Sequence, residues 1–188
     1  MKILGFTASP RKEGNTAWAV NKILEGAKEQ GAEVQSFYSS ELDIKPCKGC
    51  MTCRQNGKCA INDDMQKIYI ELKQADAIVL GSPVYMGQMT GQAKIFTDRL
   101  FAQITPRFSP HFKEENAGKK LILVFTQGNP DSEMFKVYFD YTYKMFQLLE
   151  FDVKGLQVIA GLRKEQAHER KELHAELKNA GALLVTGN

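Results

Sequence analysis

The chain has 188 residues, of which 43% are hydrophobic and 25% are charged, a composition typical of one globular domain. Its 25 Lys and Arg residues nearly balance 22 Asp and Glu residues, and the net charge of +3 does not support nucleic acid or an anionic membrane as a partner. No apolar run approaches the roughly 20 residues that a membrane-spanning helix needs. The N-terminus lacks the features of a signal peptide, so we expect a cytoplasmic protein.

Short apolar runs alternate along the chain with segments of helical periodicity. The strands are predicted at residues 2–7, 33–38, 75–80, 120–125 and 153–159. The helices are predicted at residues 16–30, 63–74, 91–103, 132–150 and 164–184, with loops at 45–62 and 105–118. This alternation predicts an α/β fold, a five-stranded parallel sheet with helices on both faces, in a single domain over residues 1–188. Ligands of such sheets bind beyond the carboxyl ends of the strands.

Four polar residues surround the end of the first predicted strand and the start of the next helix. They are Ser9, Arg11, Asn15 and Thr16. Free N–H groups at a helix N-terminus favour an anion, and hydroxyl, amide and guanidinium groups can bind a phosphate. The glycine fingerprints of dinucleotide and P-loop sites are absent, so the segment suits a single phosphate. The alternative is that these side chains simply cap the helix.

The segments after the third and fourth predicted strands are further candidates. Residues 81–87 carry Val84, Tyr85 and Met86 where polar loop residues would be expected, and a flat aromatic ligand would explain them. Alternatively, these side chains cover the sheet edge or fill a subunit interface. After the fourth strand, Gln127 and Gly128 add amide and backbone donors, although a plain turn would also account for them.

All four cysteines of the chain lie between residues 47 and 59. They are Cys47, Cys50, Cys53 and Cys59. In a reducing compartment such clustering indicates metal or redox chemistry rather than disulfide bonds. The chain has no second set of cysteines, so the four would serve one site. Structural zinc more often uses two C-x2-C knuckles with a longer spacer, but zinc, an iron–sulfur cluster and a metal-free thiol loop all stay open.

Together these segments resemble a known family. The string Ser9-Pro-Arg-x-x-Gly-Asn-Thr16 and the string Gly81-Ser-Pro-Val-Tyr85 are similar to motifs of the flavodoxin-like NAD(P)H-dependent FMN reductases. The string from Lys45 to Cys53, with Cys59 after a gap of five residues, resembles the iron–sulfur flavoprotein branch of that family. Recognisable motifs cover roughly residues 1–130.

The resemblance implies a flavodoxin-like, doubly wound fold, FMN as cofactor and a [4Fe–4S] cluster on the four cysteines. It implies phosphate binding by Ser9, Arg11, Asn15 and Thr16. It implies that the isoalloxazine ring lies against Pro83, Val84, Tyr85, Met86 and Gly87, with Gln127 and Gly128 as a weaker extension. It also implies a homodimer or homotetramer.

The expected function is that of an FMN-dependent oxidoreductase moving electrons between a reduced donor, NAD(P)H or ferredoxin, and an acceptor such as a quinone. No side chain stands out as a catalytic acid or base. One alternative is a cluster-free NAD(P)H-dependent reductase of FMN, quinones, nitro or azo compounds. Another is a flavodoxin-type electron carrier, although such carriers are usually strongly acidic. The neighbouring Asp98 and Arg99 are expected on a helix surface or at an interface.

Overall fold

The computed structural model describes residues 1–103 and 117–187, which form a parallel sheet between two layers of helices. The strands are β1 (Lys2–Thr7), β2 (Glu33–Tyr38), β3 (Ala77–Tyr85), β4 (Gln88–Met89), β5 (Lys120–Thr126) and β6 (Asp152–Ile159). The order is β2-β1-β3-β5-β6 with every pair parallel, and the short β4 pairs antiparallel with the end of β3. The predicted five-stranded, flavodoxin-like α/β sheet is confirmed.

The helices cover both faces of this sheet. They are α1 (Asn15–Glu29), α2 (Thr52–Asn56), α3 (Met65–Gln74), α4 (Gly91–Arg99), α5 (Lys136–Leu148) and α6 (Lys171–Thr186). Successive side chains of a strand point to opposite faces, so each strand supplies both cores. On β1, Ile3 packs beneath α1 and α6, whereas Leu4 packs in the core that contains residues of α3, α4 and α5.

Helices α1 and α6 approach each other closely at two glycines. A Cβ atom placed on Gly26 would overlap the carbonyl oxygen of Lys178. A Cβ atom on Gly181 would likewise overlap the carbonyl oxygen of Ile23. The two backbones are therefore in contact, and only glycine fits at either position.

Several boundaries differ from the predictions. Strands β1 and β2 have the predicted bounds, but the predicted cysteine loop contains the short helix α2, and α6 begins seven residues later than expected. A separate 3-10 turn at Ala167–Glu169, stabilised by a capping box between Gln166 and Glu169, occupies the residues before α6. Most of the predicted loop at 105–118 lies outside the described residues. No helix among the described residues is long and apolar enough to cross a membrane.

Strand β3 is the largest correction, because it continues beyond Gly81 to Tyr85. Proline lacks the N–H that a central strand needs, so the prediction ended this strand before Pro83. The last β1 partner of β3 is Gly81, whereas Pro83 pairs with Thr126 of β5. Pro83 therefore lies where β3 has passed the end of β1, and the missing N–H costs no bond to that strand.

Candidate functional site

Buried hydroxyl and amide side chains gather where β1, β3 and β5 end. They are Thr7, Ser9, Thr16, Ser82, Thr90, Thr126 and Gln127. Two hydrogen bonds hold the strand ends together: the Ala8 N–H donates to the Gly81 carbonyl (2.7 Å), and the Thr90 hydroxyl donates to the Ala8 carbonyl (2.7 Å). The segments that the sequence predicts as candidate binding sites after these strands therefore meet at one edge of the sheet.

At the start of α1, the predicted phosphate-binding side chains do not act as helix caps. Among the described residues, no side chain caps this helix, which follows Gly14. The Ser9 hydroxyl accepts a hydrogen bond from the Arg11 N–H (3.1 Å), and the Thr16 hydroxyl lies 2.6 Å from that of Thr126. The first N–H groups of α1 are left without a side-chain partner, which favours an anion there.

Asn15 is held by a distant part of the chain. Its Nδ2 donates to Oε1 of Gln166 (2.9 Å), and its Oδ1 accepts from the N–H of Ala167 (2.8 Å). This amide therefore positions the start of α1 against the turn that precedes α6. Direct phosphate binding by Asn15 would have to use its backbone N–H.

Arg11 is the cation nearest in sequence to this helix start that remains available. Its side chain is exposed, and its guanidinium has no hydrogen bond or ion pair within residues 1–103 and 117–187. The neighbouring Lys12 is instead paired with Glu41, an ion pair that raises the pKa of the Lys12 ammonium. Of these two adjacent cations, Arg11 can therefore bind a phosphate without first breaking an ion pair, whereas Lys12 cannot.

The predicted ring-binding segment is the end of β3 and a tight hairpin turn. Val84 pairs with Met89 and Tyr85 with Gln88, so Met86 and its successor form the turn. Met86 has φ of 49° and the following glycine has φ of 80°, as in the two-residue turns that match strand twist. Met86 is 100% exposed. An apolar residue in a left-handed conformation and fully in solvent is costly on both counts, so Met86 is a candidate for contact with a ligand or partner.

Gln127 presents an unused acceptor at the end of β5. Its side chain is buried, and Nε2 donates to the carbonyl oxygens of Asp131 (2.7 Å) and Asn129 (3.3 Å). Its Oε1 is buried and has no hydrogen-bond partner within the described part of the chain. A buried acceptor without a donor is destabilising, so a donor group of a bound cofactor fits here. At the adjacent Gly128, a Cβ would lie 2.8 Å from Cγ of Arg163, so the Arg163 side chain packs against one side of this glycine.

The four cysteines share one small cavity. All are free thiols; Cys47 and Cys50 are exposed, and Cys53 and Cys59 are partly buried. Every one of them lines a cavity of about 40 Å³ between the cysteine loop and the end of α4. No three Cys, His, Asp or Glu side chains are arranged to hold a metal ion in residues 1–103 and 117–187. All four donors are sulfur atoms on the lining of one cavity, and this donor set suits a thiolate-bound metal group, although the four side chains do not surround one ion position in this structure.

The local surroundings affect the thiols differently. Hydrogen bonds from the Thr52 side chain and backbone lower the pKa of the Cys50 thiol, and the charge of Lys48 adds to this effect. Burial raises the pKa of Cys53 despite the opposing charge of Arg54. Cys50 is therefore the more readily ionised thiol of these two, and ionisation is what metal binding requires.

The base of the cysteine loop is closed by a buried ion pair. Arg99 donates from Nη1 to Oδ2 of Asp63 (2.6 Å) and from Nη2 to Oδ1 (3.0 Å), and the two side chains are 1% and 0% exposed. Nη1 also donates to the Lys45 carbonyl (2.7 Å), while Asp63 accepts from the Lys45 N–H (2.9 Å). The expected surface position of Arg99 is wrong, and it is Asp98 that lies outside, paired with Lys94.

A larger apolar groove of about 800 Å³ adjoins the cysteine cavity. Helices α4 and α5 form its walls, with Met89, Phe101, Tyr138 and Met145 among the lining residues. Five residues line both spaces: Cys47, Gly49, Met51, Asp98 and Phe101. No sequence motif predicted this groove, although the aromatic and methionine residues of α5 are evident in the sequence.

Comparison with known proteins identifies the class to which this fold and site belong. Residues 1–137 match the family described as NADPH-dependent FMN reductase, and the chain belongs to that family. The expected membership of this family is thereby confirmed.

Two curated relatives show the branch to which the chain is similar. It is 42% identical to an iron–sulfur flavoprotein of Methanocaldococcus jannaschii over 99 residues, or 53% of this chain and 51% of that protein. It is 42% identical to the iron–sulfur flavoprotein of Methanosarcina thermophila over 99 residues, 53% of this chain and 52% of that protein. The matched part thus spans about half the length of these relatives.

A solved structure extends the likeness of fold to almost the whole chain. The NAD(P)H:quinone oxidoreductase from Methanothermobacter marburgensis has a TM-score of 0.75 and covers 98% of this chain and 96% of its own. At 14% identity, this likeness concerns the fold alone.

Proposed function

We propose that the protein is an FMN-dependent oxidoreductase that carries a [4Fe–4S] cluster on Cys47, Cys50, Cys53 and Cys59. It moves electrons between a reduced donor, NAD(P)H or ferredoxin, and an acceptor. The observation that carries this proposal is the single cavity lined by all four free cysteines, on a loop whose base is closed by a buried ion pair. FMN exchanges one or two electrons and a cluster exchanges one, so the cofactors supply the redox chemistry and the protein orients them.

The phosphate of FMN is proposed to bind at the start of α1. The uncapped N–H groups and the available guanidinium of Arg11 support this placement, with Ser9, Asn15 and Thr16 shaping the segment. The isoalloxazine ring is proposed to lie against Pro83, Val84, Tyr85, Met86 and Gly87. The unpaired Oε1 of Gln127 and the backbone at Gly128 would complete that side of the site.

Cofactor analysis tests the proposal directly. Protein purified without oxygen is expected to contain one FMN and about four irons with matching sulfide per chain. Cys59→Ala is expected to lose the iron and keep the FMN, because the cysteine loop and the proposed phosphate segment are separate. FMN without iron in the native protein would contradict the cluster and leave the cluster-free reductase, which the exposed thiols of Cys47 and Cys50 favour. Zinc in place of iron would also contradict it.

The phosphate site has a matched pair of variants. Arg11→Met is expected to weaken FMN binding about ten- to hundredfold, because a charge-assisted hydrogen bond contributes roughly 1.5–3 kcal/mol. Lys12→Met removes the adjacent cation, which is already paired with Glu41, and is expected to leave the affinity nearly unchanged. Equal losses in the two variants would show that net charge, and not a specific contact by Arg11, holds the phosphate.

The electron donor and the assembly are part of the same proposal. Steady-state oxidation of NADH or NADPH with a quinone or free FMN separates a reductase from a carrier without its own substrate. A homodimer or homotetramer is proposed because large apolar side chains are exposed around the hairpin and along α5. They are Tyr85, Met86, Val137, Tyr141 and Leu148. A monomeric mass in solution, measured by light scattering, would contradict the assembly.

A further inference from the structure

We propose that Arg99 is a positioning residue of the cysteine site, which presents its Nε–H and its positive charge to the sulfur atoms held in the cavity. This rests on the proposed function, since a thiolate-bound metal group must occupy the cavity. The role goes beyond closing the base of the loop, because it assigns to Arg99 a direct effect on the energy of the bound group.

An unpaired donor in the guanidinium is the first observation. Two nitrogens of Arg99, Nη1 and Nη2, are committed to Asp63 and to the Lys45 carbonyl. The third, Nε, is buried and has no hydrogen-bond partner within the described part of the chain. Leaving a buried charged donor unsatisfied is costly, so an acceptor is expected beside it.

The position of Arg99 is the second observation. It lines the same cavity of about 40 Å³ as all four cysteines. The Tyr69 hydroxyl donates to the Arg99 carbonyl (2.7 Å). The guanidinium carbon of Arg99 also lies 5.9 Å from the centroid of the Tyr69 ring. Arg99 and the four cysteines therefore enclose the same small space.

The cavity wall on this side is fixed in place. The Gln66 amide of α3 donates to the carbonyls of Cys59 (3.2 Å) and Ile61 (2.5 Å). The guanidinium itself is held by two hydrogen bonds to one carboxylate, a geometry that arginine provides and lysine does not. A donor held this rigidly can act on a sulfur atom without first being ordered.

The chemical consequence concerns reduction. A group held by four thiolates is anionic, and taking up one electron makes it more negative. A buried positive charge and an N–H donated to sulfur both stabilise the more negative form. Because arginine stays protonated, no proton needs to move with the electron. Arg99 is therefore expected to raise the reduction potential of the site.

Two substitutions of the ion pair test this in the iron-loaded protein. Arg99→Lys keeps the charge but removes the Nε–H and the planar fork. At the potential where the native site is half reduced, its reduced-to-oxidised ratio is expected to fall about tenfold, which corresponds to about 59 mV for one electron. Asp63→Asn removes the neutralising carboxylate and is expected to shift the potential upward. Both are measured by a dithionite titration followed by absorbance and electron paramagnetic resonance.

Opposite signs distinguish this role from a purely structural one. If the pair only closes the loop, both variants lose iron alike or leave the potential unchanged, and either result overturns the proposal. Lys154→Gln, at an exposed lysine paired with Asp152, is the control and should not shift the potential. If Arg99→Lys does not fold, Asp63→Asn decides alone, since an unshifted potential there also overturns the proposal. A native protein without iron overturns the proposed function together with this role, whereas iron with an unshifted potential overturns this role only.

Discussion

The hydroxyl of Thr16 lies 2.6 Å from the hydroxyl of Thr126, and this buried contact joins the first turn of α1 to the end of β5. In the pair, one hydroxyl donates and the other accepts. The accepting hydroxyl keeps its own proton, which it can donate to a third group. The start of α1 is thus positioned by a neighbouring strand and not by a cap of its own.

Removing one member of this pair is expected to weaken both the fold and FMN binding. Thr126→Val keeps the shape but loses the hydroxyl, so the free energy of unfolding should fall by about 1 kcal/mol. FMN affinity should fall several-fold, because Thr16 is no longer held in place. Urea denaturation and flavin fluorescence titration measure the two effects. Thr186→Val, at an exposed hydroxyl near the end of α6, should change neither.

Met86 in the hairpin turn is expected to lower the stability of the fold and to strengthen FMN binding. Met86→Asn places in the turn the residue that best tolerates its left-handed conformation, so the protein without FMN should gain up to about 1 kcal/mol of stability. FMN should bind more weakly, because the exposed apolar side chain is lost. Thermal unfolding without FMN and a fluorescence titration check the two signs. Unchanged FMN affinity would argue against contact between Met86 and the ring.

Close packing of α1 on α6 makes a prediction about two glycines. Gly181→Ala should lower the free energy of unfolding by about 1–3 kcal/mol, because the added methyl group overlaps the Ile23 carbonyl. Gly91→Ala is the control: it lies in the first turn of α4 with open space around it, and alanine there should be neutral or slightly stabilising. Similar losses in both variants would mean that the helices do not touch at Gly181.

Asp63 is expected to make the fold sensitive to acid. Burial alone would raise the pKa of its carboxyl, but hydrogen bonds from Arg99 and the Lys45 N–H outweigh burial and lower it. Because the folded pKa lies below the ordinary value of about 3.9, the contribution is complete above that pH and is lost as the pH falls toward the folded pKa. Asp63→Asn should be less stable at pH 7 and should lose less stability than the native protein as the pH falls from about 5 to about 2.5. Urea unfolding at each pH measures this.

The control for the acid prediction is Asp140→Asn on the surface of α5. Asp140 is paired with Lys136 and is about half exposed, so its ion pair contributes little. Its variant should show the same pH dependence as the native protein. If the stability of Asp140→Asn depended on pH as weakly as that of Asp63→Asn, the acid sensitivity could not be assigned to Asp63.

Local patterns predicted the strands well where burial and turn residues coincide. Strands β1 and β2 are short runs bounded by turn formers, and both have the predicted ends. Strand β3 was cut short because a local pattern cannot show that a neighbouring strand has already ended at Pro83. The contact between Asn15 and Gln166 joins residues 151 positions apart, so no local signal could reveal it.

The buried Arg99 was missed for a different reason. Its charge and its neighbour Asp98 resembled an ordinary surface pair. Yet it follows the buried Phe96 by three positions, which places it on the same helical face. Combined with the aspartate at position 63, this spacing could have suggested a buried pair. The cysteine spacing, in contrast, directly predicted a shared site. The helix α2 within this segment was missed, because it is too short to show a helical periodicity.

Helix α1 depends at both of its ends on the last part of the chain. Asn15 at its start binds Gln166 and Ala167, and Gly26 near its end touches α6. The family match stops at residue 137, before any of these partners. A chimera joined at that point would carry every proposed cofactor-binding residue but would need a foreign C-terminal segment with the same turn and a matching glycine. The two parts of the sequence are therefore expected to have changed together rather than to have been exchanged as modules.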